Sequence, residues 1–182
     1  MRAEQTGNED EHIYKIRHSL AHVMAQAVVE MRPGSTLGFG PPISDGFYYD
    51  FILSAPLNDE DFPEIERRMK KILKKGQKFY REDLGADEAL KRINEMGEPY
   101  KKEYAEELLS TRDLEELSFY RNGPFLDMCE GPHVETTKDI PRDGFKLKNI
   151  AGAYWRGDSD NVMMTRIYAW AFADKITLDT HV

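Results

Sequence analysis

Between Ile13 and Met31 the apolar residues Ile16, Leu20, Val23, Ala27 and Met31 recur three or four positions apart, the spacing that gathers side chains on one stripe of an α-helix. Pro33-Gly34 then stops it. On the same wheel His18 and His22 fall on the opposite side, in company with Ser19, Ala25, Gln26 and Val29 rather than a row of Lys and Glu. A polar face of that kind is covered, not solvated. Aromatic and branched runs follow at Thr36 to Gly40 and Gly46 to Leu53, broken by Pro41-Pro42 and Asp45-Gly46, which predicts two strands and a turn. Helical spacing returns with Phe62, Ile65, Met69 and Ile72, capped by Asn58 or Asp59 and ended at Gly76; Ala86 to Met96 repeats it before Gly97, and Lys101 to Leu109 makes a shorter helix.

The C-terminal third reads as strands at Ser118 to Arg121, Gly144 to Ile150 and Val162 to Phe172, separated by Gly, Asp and Pro. Helices and strands without regular alternation predict an α+β domain, with a largely antiparallel sheet and packed helices. The reading divides the chain into a flexible N-terminus at 1–12, one domain at 13–176, and the start of a truncated linker helix at 177–182.

Composition narrows the classes. The chain has 182 residues, 40% of them hydrophobic, enough for one core. No run approaches the roughly 18 apolar residues of a membrane span, and the acidic opening MRAEQTGNEDEH is no basic leader. With Cys129 alone no internal disulfide forms, so a reducing compartment, the cytoplasm, is expected. A net charge of −8 opposes a broad nucleic-acid footprint but leaves room for contact with one RNA end. The basic run Arg67, Arg68, Lys70, Lys71, Lys74 and Lys75 reads as the solvated face of a helix.

The chemistry concentrates in two motifs. His18 and His22 sit four apart on one helix face, and Cys129 and His133 flank a turn forced by Gly131-Pro132. Either histidine alone reads as a hydrogen-bonded core residue, and Cys129 alone as a small buried hydrophobe. Together they read as a site, because burying several titratable groups without use costs stability. A thiol and three imidazoles are also a donor set that suits tetrahedral zinc. On spacing alone Lys101 and Asp127 are surface charges. Tyr48 and Tyr49 alternate across a strand, so one of them faces the core.

Arg17-His18-Ser19-Leu20-Ala21-His22, the stretch Phe39-Gly40-Pro41-Pro42-Ile43 through Asp45-Gly46-Phe47-Tyr48-Tyr49-Asp50, Asp127-Met128-Cys129 with Gly131-Pro132-His133, and Gly152-Ala153-Tyr154-Trp155-Arg156-Gly157-Asp158 together resemble the editing domain of threonyl-tRNA synthetases. That domain is shared in outline with alanyl-tRNA editing proteins. The resemblance runs from about Ile13 to the C-terminus and is completed by Arg166-Ile167-Tyr168 and Ala173-Asp174-Lys175. It implies hydrolysis of the ester of mischarged seryl-tRNA(Thr), in a piece without the aminoacylation core. The expected catalytic residues are His18 as base, His22 and His133 as its partners, Lys101 near the leaving ribose oxygen, and Cys129 in the pocket wall; Asp127 would hold the substrate ammonium, with Tyr49 and Gly40 as walls. No cofactor is expected to be required, zinc on His18, His22, Cys129 and His133 being the alternative. The expected partners are the serine-bearing acceptor end of tRNA(Thr) and the remaining catalytic and anticodon-binding synthetase domains, with no membrane. Two other readings stay open: a non-catalytic, zinc-stabilised tRNA-binding module, and an alanyl-type editing hydrolase. Glu130 departs from the family, which usually carries a basic residue there, so a phosphate contact from that position is in doubt.

Overall fold

A computed structural model describes the backbone of residues 2–182, and side chains from residue 9 onward. Helix α1 spans Arg2–Met31, so it begins well before Ile13 and takes in the stretch expected to be a flexible N-terminus; Met1 lies outside the described residues. Ala, Glu and Gln before Ile13 are adequate helix formers, and residues 9–12 are exposed, which is why an apolar stripe could not mark them. From His18 to Val28 every residue is buried, so both faces of α1 are covered as the sequence predicts.

Strands β1 (Thr36–Leu37), β2 (Pro42–Ile43) and β3 (Gly46–Ile52) follow. Asn58 then caps a 3-10 turn by accepting from the Glu60 amide, and α2 runs Phe62–Lys75 to a left-handed Gly76 with φ 67°. Next come β4 (Phe79–Gly85), α3 (Ala86–Met96) and α4 (Pro99–Thr111). The chain closes with β5 (Glu116–Asn122), β6 (Phe125–Met128), β7 (Phe145–Tyr154), β8 (Met163–Ala171) and α5 (Lys175–His181). Asp174 caps α5 through the Thr177 amide. No helix is long and apolar enough to cross a membrane.

All pairings of these strands are antiparallel, and they build two sheets where the sequence suggested one. The larger has the order β1-β3-β8-β7 with β2 also on β3; the smaller is β4-β5-β6. Strand β4 was invisible to periodicity because Tyr80 to Asp83 are all exposed, and β6 is a short return from β5 through Gly123-Pro124. Each sheet has its own apolar cluster. Phe47, Tyr49 and Phe51 of β3 alternate onto α1 and α2, with Ile65, Met69 and Ile167. Leu84, Ala89, Ile93, Ala105, Leu108 and Phe119 fill the space between the small sheet, α3 and α4. A fully buried Leu, Ile or Phe contributes about 1.5–3 kcal/mol of transfer free energy, so each cluster holds its half together. The catalytic candidates come from α1, β3, α4 and the loop after β6, where the halves meet.

Candidate active site

His18 and His22 project one turn apart from α1, their ring centroids separated by 5.6 Å. Opposite them, β6 ends at Met128 and the chain turns through Gly131, with φ 75° and a cis bond to Pro132, before His133. A Cβ on Gly131 would lie 2.3 Å from the Tyr120 hydroxyl, so this turn requires glycine. The turn stacks His133 on His18 at 4.2 Å and sets it 4.3 Å from the His22 ring.

Hydrogen bonds fix where the protons are. His18 Nδ1 is 3.1 Å from the Pro132 carbonyl, which only accepts, so Nδ1 carries the hydrogen and Nε2 keeps a lone pair. That lone pair faces Cys129 Sγ at 3.2 Å. Burial pushes the Cys129 thiol up to about 12, so at neutral pH the S–H donates to His18. Gly131 N–H donates to the same sulfur at 3.3 Å, and His133 Nε2 lies 3.3 Å from it. Ser19 Oγ accepts from the Val134 amide and stands 3.1 Å from His133 Nδ1. Burial lowers the pKa of His18 and, far more, of His22 and His133. The rings are therefore neutral at physiological pH, and His18, the least shifted of the three, is the one best able to take a proton.

Asp127 is the electrostatic hub. It is 1% exposed and Lys101 only 3%, which corrects the reading of both as surface charges. Tyr49 donates its hydroxyl to Asp127 Oδ2 at 2.5 Å, and His22 Nε2 lies 3.4 Å from the same oxygen. Burial and the carboxylate hold the Tyr49 phenol well above its usual pKa, so it stays a donor. Lys101 Nζ forms an ion pair with Oδ1 at 3.1 Å and reaches the Met128 carbonyl at 3.4 Å. Oδ1 has no directed hydrogen bond, so acceptor capacity remains.

These groups border a cavity of about 430 Å³ whose wall also includes Tyr14, Phe39, Gly40, Tyr104 and Leu108. Gly40 is there by necessity, since a Cβ would sit 2.1 Å from the Tyr49 ring. Phe39 stacks on Trp155 at 4.7 Å, which anchors this wall to the Ala153-Tyr154-Trp155 run. Glu130 is exposed at the rim.

Sequence reasoning missed Glu98, whose carboxylate accepts from the Leu37 amide at 2.8 Å. Burial raises its pKa from 4.5 to about 7. The native state thus binds this proton more tightly than the unfolded chain. The associated stability is full below pH 4.5 and is lost as pH rises through about 7. Glu98→Gln keeps an acceptor for Leu37 and removes the charge. Its melting temperature is expected to match the parent near pH 4 and exceed it above pH 7; a constant difference across thermal scans at both ends would contradict this.

One donor atom each from His18, His22, Cys129 and His133 lies within 4.8 Å of the others, close enough for the set to hold a metal ion. Tetrahedral zinc with bonds of about 2.0–2.3 Å needs donors roughly 3.3–3.8 Å apart. The His18, Cys129 and His133 spacings suit it, and the widest separation must contract.

The amino-acid sequence is similar to that of known proteins. Residues 117–168 fit the family described as the threonyl and alanyl tRNA synthetase second additional domain. The matched stretch takes in Asp127, Cys129 and His133 of the seam just described and lies in an α+β scaffold, so this part of the chain is similar to the second additional domain of these synthetases. More particularly, the chain is homologous along nearly all its length to threonine–tRNA ligases. It is 46% identical to that of Thiobacillus denitrificans and 44% identical to that of Gluconobacter oxydans, each over 177 residues and 97% of the chain. The enzyme of Rubrobacter xylanophilus is 44% identical over 92% of it. The chain spans only about a quarter of these relatives, 25–27% of their length.

Proposed function

We propose that this chain hydrolyses the ester bond of seryl-tRNA(Thr), removing serine wrongly joined to the terminal adenosine. The observation that carries the reading is the His18 lone pair. It is oriented from behind by the Pro132 carbonyl and held neutral by burial, which makes Nε2 a base ready at neutral pH. A water in the cavity gives its proton to His18 Nε2 and its oxygen attacks the ester carbonyl; the carbonyl–oxygen bond to the ribose then breaks. Lys101 lies beside the site with a positive charge for the developing oxyanion and a proton for the leaving ribose oxygen. His22 and His133 pack around His18 and restrict its ring. Asp127, with acceptor capacity left on Oδ1, draws the serine ammonium, while Cys129, Tyr49 and the Gly40 backbone form walls.

A second site has reason to exist because one missing methyl gives only about 1–3 kcal/mol of discrimination. A pocket too small for threonine rejects the correct product by sterics. The short supply of basic charge implies that the acceptor end is presented largely by the other synthetase domains, in the cytoplasm.

The donor set also fits zinc, which when bound would polarise a water. We infer that the reaction does not require it. His18 Nε2 acts as the base, and a lone pair that takes the water proton cannot also hold zinc; the Pro132 carbonyl on Nδ1 would orient the ring for either role. Dialysis against a chelator is expected to leave hydrolysis and melting temperature unchanged. Loss of both, restored by zinc, would instead support a metal-stabilised module.

The proposal is tested by incubating the chain with seryl-tRNA(Thr) and seryl-tRNA(Ala). Release from the first and sparing of the second is expected. Preference for seryl-tRNA(Ala) would make it an alanyl-type hydrolase, and release from neither would refute the reading.

A further inference from the structure

Behind the imidazole of His22, away from the cavity, lies a buried amide cluster that the reaction above does not use. Asn122, at the end of β5, is 0% exposed and Gln26 4%. Gln26 sits one turn beyond His22 on α1. Asn122 pairs in register with both Phe79 and Phe125, and these are the two phenylalanines packed on the His22 ring, with centroids 6.4 and 5.4 Å away. The amide nitrogen of Asn122 donates to Gln26 Oε1 and to Gln77 Oε1, each at 3.2 Å. Both its hydrogens are thereby used, which leaves Oδ1 as the free end of the amide in this arrangement. Two sealed polar atoms are left over: Asn122 Oδ1 and His22 Nδ1.

Neither atom is reached by water or has a hydrogen-bond partner in place, so a small turn of either side chain that pairs the two would satisfy both. The opposite edge of His22 differs, because it belongs to the cavity wall beside Asp127 and can be served by a bound molecule. We infer that Asn122, locked by Gln26 and Gln77, is a positioning residue that holds the hydrogen of His22 on Nδ1 and presents the Nε2 lone pair to the cavity. Asn122 also raises the proton affinity of His22, against a larger lowering by burial, as an accepting Oδ1 would. The consequence at the site is concrete. His22 Nε2 and Asp127 Oδ2, 3.4 Å apart, become two adjacent acceptors. Such a pair suits a donor with several hydrogens, the ammonium of an aminoacyl ester. This last step rests on the hydrolytic reading; the tautomer does not.

The experiment is a long-range 1H–15N correlation spectrum of the whole chain, labelled on histidine nitrogen, without substrate. The parent is expected to display His22 as the Nδ1–H form across neutral pH. Asn122→Ala should shift it toward the Nε2–H form, and Asn122→Asp, which keeps an acceptor, should restore Nδ1–H. If Asn122→Ala fails to fold, Gln77→Leu loosens the amide from one side and should broaden the same signals into a tautomer mixture. Alongside, Asn122→Ala should lower kcat for seryl-tRNA(Thr) about 10-fold or more with KM changed less than 3-fold, on the scale of a displaced catalytic group. An Nε2–H form in the parent, expected if all three amides were turned over, would overturn the inference. So would an Nδ1–H form unmoved in the folded alanine variant. A parent with Nδ1–H that releases no serine would instead refute the hydrolytic reading and leave the tautomer standing.

Discussion

Replacing His18 by alanine is expected to lower the rate of serine release from seryl-tRNA(Thr) by about 10²–10⁴-fold, the range for loss of a general base. The reason is geometric. Of the three clustered imidazoles, His18 has one nitrogen committed to a backbone carbonyl and the other turned to a thiol. Displacing the thiol hydrogen bond with a water costs little, because a neutral S–H is a weak donor. Cys129→Ala should therefore reduce the rate far less than His18→Ala. The measurement is single-turnover release of labelled serine, with circular dichroism to establish that both variants fold. Equal and complete loss in both, accompanied by loss of bound zinc, would point to a metal site and remove His18 as the base.

The second large effect concerns stability. Asp127→Ala is expected to cost about 3–5 kcal/mol, because it strands the Lys101 ammonium in a desolvated seam. Lys101→Met should cost a similar amount by stranding the carboxylate. The double variant Asp127→Leu with Lys101→Met should be more stable than the sum of the single losses predicts, since apolar pairs of similar size replace buried ion pairs at little cost. Urea titration checks this through the midpoint at constant slope. Single losses below about 1 kcal/mol would mean that the pair behaves as a solvated one. Either way activity should fall in all three, because the same ion pair borders the cavity.

How much of this was written in the sequence depended on whether a residue's role is local. Helix α1 was legible because its apolar spacing is intrinsic, and even the covered second face with His18 and His22 was readable from the lack of Lys and Glu there. The Cys129 and His133 turn was legible through Gly131-Pro132. Lys101 and Asp127 were not legible from spacing, because an ion pair between α4 and β6 exists only once that helix packs on the small sheet; the family resemblance alone pointed to them. Nothing local marked Asn122, Gln77 or Glu98 either, since each is a polar residue that matters through partners 45 or more positions away or on another element. The second sheet was hidden for a related reason. Strand β4 is exposed along most of its length and owes its conformation to pairing with β5, not to its own alternation. Ser19 was seen as part of the covered face, yet its bridge to His133 and Val134 required the loop to fold back over 114 and 115 positions.

The central claim is that a metal-independent pocket of free imidazoles discriminates serine from threonine at the ester. The most direct measurement is release of the amino acid from seryl-tRNA(Thr) and threonyl-tRNA(Thr) by the chelator-treated chain under single-turnover conditions. The account predicts rapid loss of serine, with threonine retained near its spontaneous rate. Release of both at equal rates, or of neither until zinc is added, would contradict it.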